Sequence, residues 1–232
     1  MKYMGSKSRI AKHILPIILK DRKDGQFYVE PFVGGANMID KVDGNRIGSD
    51  NNKYLIACLD ALKYNTNWLP LSLTESEYKN IRNNKEHFPP ELVGYVGFAL
   101  SYGGKWFGGY RRDSEGKRDY IAEAYRSAVK QSIKIKGIEF IHTSYLFLKI
   151  PDNSIIYCDP PYSNSTKYNQ YFDHQIFWQW CRDVSIEGHS VFVSEYNAPD
   201  DFKCIWEKEI ASSLTKNTGS KSGTERLYVY NN

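Results

Sequence analysis

The chain has 232 residues, of which 41% are hydrophobic and 25% charged, with a formal net charge of +4. That length allows one large domain or a domain carrying an insert, and the composition excludes disordered, collagenous and disulfide-scaffold classes. No apolar run reaches bilayer length: Pro16 interrupts residues 14–19, and Lys12 and His13 precede them, so neither a membrane span nor a cleaved leader is expected.

The first stretch, Tyr3-Met4-Gly5-Ser6-Lys7, is a polar approach to a helix. Ser8 is its expected N-cap, and Ile10, Ala11, Ile14, Leu15 and Ile18 follow at helical spacing. Residues 27–30 read as a short strand that runs into Pro31-Phe32-Val33-Gly34-Gly35. A glycine pair after a strand lets backbone approach a ligand, although a plain tight turn uses the same residues. The next strand, residues 46–48, ends at Ser49-Asp50. In nucleotide-binding α/β folds an acid at the tip of the second strand accepts hydrogen bonds from ribose hydroxyls. These two signals leave an adenosine-containing cofactor and a structural turn both open.

Residues 52–64 read as a helix, Thr74-Glu75-Ser76-Glu77 is a capping box opening another, and Pro89-Pro90 opens a third that runs to about Leu100. Helical periodicity then fails. Residues 101–112 contain four glycines, four aromatics and three basic residues, among them Lys105, Trp106, Tyr110, Arg111 and Arg112. Such a segment predicts a loop or ribbon carrying stacking and phosphate-binding groups rather than core. A helix over about 119–131 adds Arg126 and is preceded by Arg118. Residues 101–140 hold nine Lys/Arg against five Asp/Glu, whereas the rest of the chain has 22 of each sign. That surplus fits a polyanion-binding face or, alternatively, a solvated basic loop. Residues 65–135 are therefore expected to form an inserted helical recognition domain, with 1–64 and 136–232 making the catalytic domain.

Strands resume at 138–141 and 155–158, and the second stops at Asp159-Pro160-Pro161-Tyr162. Asp159 then sits at the carboxyl end of a strand, the edge at which open α/β sheets bind ligands. The prolines have fixed φ and no N–H, so their carbonyls point in set directions, and Tyr162 adds an aromatic face. A carboxylate, a rigid carbonyl and a ring within four residues suit a planar, amino-bearing base; an ordinary strand exit uses Asp and Pro too. A helix from Asp173 is expected to face inward through Ile176, Phe177, Trp180 and Val184. A strand at 191–193 and two runs, 202–210 and 226–230, complete an α/β sheet closed by a C-terminal hairpin. The four cysteines (Cys58, Cys158, Cys181, Cys204) form no C-x-x-C pair and the histidines are dispersed, which predicts reduced thiols, a cytoplasmic setting and no metal.

In this order the pieces resemble the Dam-type (D12 class) DNA adenine-N(6) methyltransferases, particularly the short phage forms. Tyr3-x-Gly5-x-Lys7 resembles the family's N-terminal cofactor motif, and Phe32-Val33-Gly34-Gly35 its glycine loop. Asp50 stands in the place of the ribose-binding acid, and Asp159-Pro160-Pro161-Tyr162 in that of the catalytic motif. Tyr168-Asn169 is similar to a downstream Tyr-Asn pair, and Thr224-Glu225-Arg226-Leu227-Tyr228 to the closing strand. The resemblance implies a Rossmann-like sheet, S-adenosyl-L-methionine as donor and an adenine flipped from double-stranded DNA as acceptor, as in restriction–modification systems. It implies cofactor contacts from Tyr3, Lys7, Phe32, Gly34, Gly35, Asp50, Ser144, Tyr145, Asp159 and Tyr168, and DNA contacts from Lys105, Trp106, Tyr110, Arg111, Arg112, Arg118 and Arg126. The chain is expected to act as a monomer or weak dimer. Residues 141–145 lack an acid that many relatives carry there, and residues 101–112 differ from the base-reading ribbon of GATC-methylating members. A catalytically silent DNA-binding protein on the same fold, or an amino methyltransferase of RNA or protein, is the alternative.

Overall fold

Side-chain alternation along short strands divides the core into two layers. The computed structural model describes residues 1–113, 115–162, 172–211 and 222–231. Strand β1 (Tyr28–Glu30) turns Tyr28 to one face and Val29 to the other, and β4 (Ile155–Cys158) does the same with Ile155 and Tyr157 against Ile156 and Cys158. Successive side chains of a strand point to opposite faces, so a sheet covered on both sides needs apolar residues at every position. All four residues of β4 are buried.

The sheet has seven strands in the order β3-β2-β1-β4-β5-β7-β6, with β2 at Arg46–Asp50, β3 at Ile138–His142, β5 at Ser190–Glu195, β6 at Phe202–Ala211 and β7 at Ser222–Tyr230. The first five pair in parallel; β7 runs antiparallel to β5, and β6 antiparallel to β7. This is the doubly wound, Rossmann-like arrangement with its strand order reversing between β1 and β4, the place where a crevice opens at the carboxyl ends. Glu30 ends β1 and Asp159 follows β4 directly, so the topology brings these two carboxyls to that crevice.

One layer is built from α1 (Ala11–Ile18), α2 (Lys53–Tyr64), α3 (Glu75–Asn83), α4 (Pro90–Phe98) and α5 (Tyr120–Lys134). The other layer centres on α6 (His174–Ile186), whose buried residues are Phe177, Trp178, Cys181 and Val184, while Ile176 is half exposed. The inward face is thus rotated from the expected one because Trp178, rather than Ile176, packs under Phe202. The expected cap at Ser8 is displaced: Ser6 caps a short 3-10 turn by accepting from the Ser8 N–H, and α1 begins later. The box at Thr74 forms as expected, Thr74 Oγ1 accepting from the Glu77 N–H and Glu77 from the Thr74 N–H. Helices α3, α4 and α5 fall within residues 65–135, and their Tyr78, Val93, Tyr95 and Ala128 join the same apolar cluster as Ile14, Leu59 and Tyr28.

Helices α2 and α4 meet at a glycine. A Cβ on Gly94 would lie 1.9 Å from the backbone oxygen of Tyr54 and 2.8 Å from Cys58 Cβ. Alanine is the better helix former by ~1 kcal/mol, but the backbone it would strike belongs to a packed helix and has no rotamer to yield. Gly94→Ala is therefore expected to destabilise the protein by ~1–3 kcal/mol, read as a lower urea midpoint at unchanged slope. Among the described residues no helix is long and apolar enough to cross a membrane.

Candidate active site

A cleft of about 1530 Å³ opens at the carboxyl ends of β1, β2 and β4. The Asp-Pro-Pro-Tyr turn forms one part of its wall. Asp159 is held there by Lys7, whose Nζ lies 2.9 Å from Asp159 Oδ1 and 3.6 Å from Glu225 Oε2. Lys7 is only 7% exposed and also donates to the Gly5 carbonyl. Tyr162 donates its hydroxyl to Glu225 Oε2 (2.8 Å), its ring lies 4.5 Å from Lys7 Nζ, and Tyr196 meets that ring edge-on at 4.6 Å. One buried cation therefore faces two carboxylates, with a neutral phenol completing the cluster.

Burial raises the Asp159 carboxyl above the ordinary aspartate range; the Lys7 charge opposes this and Glu225 adds to it. Burial acts on Lys7 in the opposite sense, yet Asp159 and Glu225 outweigh it and hold the ammonium above its usual value. The Tyr162 phenol is pushed well up by burial, so it stays a donor at neutral pH. Glu30, buried at the end of β1, is also pushed well up by burial, although the Tyr28 hydroxyl donates to it at 2.9 Å.

On the other side of the cleft Asp50, at the tip of β2, accepts from the Gly34 N–H (3.2 Å) and the Asn52 N–H (2.9 Å). Burial raises its carboxyl, and those backbone donors pull it back. The glycine pair has a second reason to be glycine: a Cβ on Gly34 would lie 2.8 Å from the Tyr3 ring, and one on Gly35 would lie 2.6 Å from Tyr3 Cβ. Gly34 also has φ +48°, in the left-handed region. Tyr3 is thus packed on the glycine loop, with Phe98 5.1 Å from its ring. Phe32 sits among Tyr145, Phe172 and Phe177, and Ser144 caps the short turn that carries Tyr145.

All twelve of the expected catalytic and cofactor residues within the described chain line this one cleft: Tyr3, Lys7, Phe32, Gly34, Gly35, Asp50, Ser144, Tyr145, Asp159, Pro160, Pro161 and Tyr162. Tyr168 and Asn169 lie outside the described residues. The residues expected to meet DNA are dispersed. Lys105 and Trp106 line the cleft, whereas Tyr110, Arg111, Arg112, Arg118 and Arg126 do not. Tyr110 donates its hydroxyl to the Leu73 carbonyl, Arg112 pairs with Glu75, and Arg118 forms a two-point pair with Glu123 at 2.8 and 2.9 Å. Arg111 is turned inward, over the Tyr120 ring and near Glu123. Trp106 and Phe107 are partly buried against Phe98 and Gly97, so residues 101–112 are a packed ribbon, closed by a Ser101–Tyr110 bridge, rather than a free loop.

Sequence reasoning passed over Glu30, Tyr196 and Glu225. An acid at the tip of β1 was available as a signal for Glu30. For Glu225 there was only its place in a closing strand, since what it reaches depends on the β5–β7 register, in which Glu195 stands opposite Arg226.

Residues 3–90 match the family described as D12 class N6 adenine-specific DNA methyltransferase. The chain is 25% identical over 207 residues to the type II methyltransferase M.FokI of Planomicrobium okeanokoites, covering 78% of this chain and 31% of that protein. The crystal structure of SMU.472 complexed with SAH aligns with a TM-score of 0.37 at 13% identity, over 97% of this chain and 53% of that one. The chain thus spans about a third of the curated relative it matches and about half of that solved chain. The matched segment contains Tyr3, Lys7, the glycine loop and Asp50, which line the same cleft as the Asp159 to Tyr162 turn, so the similarity to the D12 class of N6 adenine-specific DNA methyltransferases falls on residues that the fold brings together.

Proposed function

We propose that the protein transfers a methyl group from S-adenosyl-L-methionine to the exocyclic amino group of an adenine flipped out of double-stranded DNA at a short specific site. It does so in the cytoplasm of a bacterial or phage-infected cell, as a monomer or weak dimer. The observation that carries this reading is the Lys7–Asp159 pair at the mouth of β4, facing Asp50 and the glycine loop across one cleft.

The residues suit the cofactor. Asp50 presents a half-buried carboxylate beside the Gly34 backbone, as a ribose diol requires, and the Asp159–Lys7–Glu225 cluster carries one cation against two carboxylates, which suits a positively charged ligand. When bound, the cofactor supplies a methyl carbon made electrophilic by its sulfonium. Phe32, Ser144 and Tyr145 bound the same pocket.

Within the chain the chemistry falls to the turn after β4. The adenine amino lone pair is delocalised into the ring and has to be localised before it can attack. Asp159 accepts one amino N–H and the Pro160 carbonyl the other, which favours tetrahedral nitrogen. These acceptors strengthen as positive charge grows on nitrogen, so they stabilise the transition state more than the ground state. Lys7 opposes the rise that burial gives the Asp159 carboxyl and so favours its ionised form for that task. After transfer the nitrogen sheds its proton to Asp159 or to water. Extraction of the base costs a few kcal/mol, and stacking on the Tyr162 ring returns ~1–3 kcal/mol.

Incubation with unmethylated DNA and labelled S-adenosyl-L-methionine, followed by methylation-sensitive sequencing, tests the reading; label appearing on cytosine or protein, or nowhere, would overturn it. Calorimetry separates a silent scaffold, which would not bind the cofactor. The ribose role makes its own prediction. Asp50→Ala is expected to raise the Michaelis constant for the cofactor ~10–100-fold, the worth of one or two hydrogen bonds to a charged group, with the DNA constant unchanged. Asp50→Asn keeps an acceptor for the Gly34 N–H and is expected to lose less.

A further inference from the structure

The cleft has two chemically different walls. The strand ends contribute the carboxyls of Glu30, Asp50, Asp159 and Glu225, and the start of α6 adds Asp173, whereas among the described residues the charged groups on the side of α2, α3 and the 101–112 ribbon are Lys53, Arg82, Lys85 and Lys105. These cations are joined to a continuous aromatic ribbon. Lys53 Nζ lies 5.0 Å from the Tyr54 ring, Tyr54 stacks on Trp106 at 5.7 Å, Trp106 meets Phe107 at 4.7 Å, and Lys85 Nζ lies 5.4 Å from the Phe107 ring. Arg82 is exposed, and its carbonyl accepts from Lys85 Nζ.

Among the described residues none of the four cations has an acidic partner within 4.0 Å. The arginines of the basic segment differ on both counts: Arg112 and Arg118 are paired with Glu75 and Glu123, and neither lines the cleft. An extracted base stays tethered to its own strand, so the phosphates on either side of it must pass the mouth of the pocket that receives it.

We infer that Lys53, Arg82, Lys85 and Lys105, set along the Tyr54–Trp106–Phe107 ribbon, form the site that holds the DNA backbone flanking the flipped adenine. The inference rests on the proposed function, and it moves the phosphate contacts from the 111–118 arginines to α2, the end of α3 and Lys105. The cations take phosphate oxygens, and the ring faces shield the sugars and bases between them, a combination that tracks a single strand without reading its sequence.

The test is binding of the cofactor-free protein to a fluorescent duplex, measured by anisotropy across a salt series. Each phosphate contact contributes about 0.9 to the slope of log K against log salt. Lys53→Ala, Arg82→Ala, Lys85→Ala and Lys105→Ala are each expected to reduce the slope by about 0.9 and weaken binding ~3–10-fold at low salt. Arg82→Lys keeps the charge and is expected to keep the slope. Arg112→Ala and Arg118→Ala are the comparison and are expected to leave it unchanged. Thermal midpoints within a few degrees of the wild type show that the variants fold; for any that does not, the charge-retaining exchange at that position, such as Lys85→Arg against Lys85→Gln, gives the slope. A fall in slope at Arg112 and Arg118, or no fall at the four cleft cations, overturns the inference. The same wild-type preparation is assayed for adenine methylation: activity with unaffected slopes removes this site alone, whereas inactivity removes the reading beneath it.

Discussion

Asp159→Ala is expected to lower the single-turnover rate of methyl transfer by at least ~10³-fold while DNA affinity stays within a few fold. The estimate follows from the role proposed for the carboxylate. Removing one preorganised group that meets charge developing in the transition state typically costs ~10²–10³ in rate. In the proposed mechanism the same oxygen atoms also orient the amino group, which the backbone acceptor at Pro160 would not supply alone. Asp159→Asn offers one carbonyl oxygen of similar shape without the charge, so an intermediate rate is expected. The split between chemistry and binding is the informative part: if Asp159→Ala weakened DNA binding as much as turnover, the residue would be part of the recognition face instead.

The second large effect is at Lys7. This side chain is 7% exposed and its ammonium bridges Asp159 and Glu225. Lys7→Met fits the volume but leaves two carboxylates without their cation, and breaking a buried pair by removing one partner costs ~3–5 kcal/mol. Burial already raises the Asp159 carboxyl, with Lys7 acting against that rise. Without Lys7 it moves further up, Asp159 takes its proton at a higher pH than in the wild type, and a protonated carboxyl no longer offers the same acceptor. The acid limb of the pH–rate profile of Lys7→Met is therefore expected to move to higher pH, with partial recovery of rate in mild alkali. A uniformly lowered profile with an unmoved limb would show that Lys7 does not tune Asp159. The stability term has its own sign. The Lys7 ammonium is held above its ordinary value in the fold, so its contribution is complete at neutral pH and is lost only as the pH rises through the raised value. The stability gap between wild type and Lys7→Met is therefore expected to be full at pH 7 and to narrow only in strong alkali.

Much of the fold was legible because its signals are local. Ile155 to Cys158 is a run of apolar residues stopped by two prolines, and it is a fully buried strand. The box at Thr74 and the Asp173 cap depend on residues two or three positions apart, and both form. The candidate site was legible for a related reason. Apart from Tyr3 and Lys7, its residues follow strand ends, and strand ends in a doubly wound sheet converge on one edge whatever the loops between them do. Places where local reading fell short involve competition between neighbours. The N-cap moved from Ser8 to Ser6, and the inward face of α6 rotated toward Trp178, because packing against Phe202 outweighs a marginal periodicity.

The sequence by itself determined the order of strands and helices, the glycine loop, the acid at the tip of β2 and the Asp-Pro-Pro-Tyr turn, since each is set by backbone freedom and side-chain alternation over a few residues. Only the tertiary structure decided which charges meet. It set Lys7, from the N-terminal approach, against Asp159 and Glu225, and it joined the Tyr162 hydroxyl to a carboxylate on β7. It placed Tyr3 on the glycine loop, so those glycines make room for a packed ring. It paired Arg112 and Arg118 with glutamates outside the cleft and left four other cations facing into it. Charge counts along a chain record how many groups of each sign there are, but an ion pair forms over a few ångströms, and that distance is fixed by strand register and helix crossing.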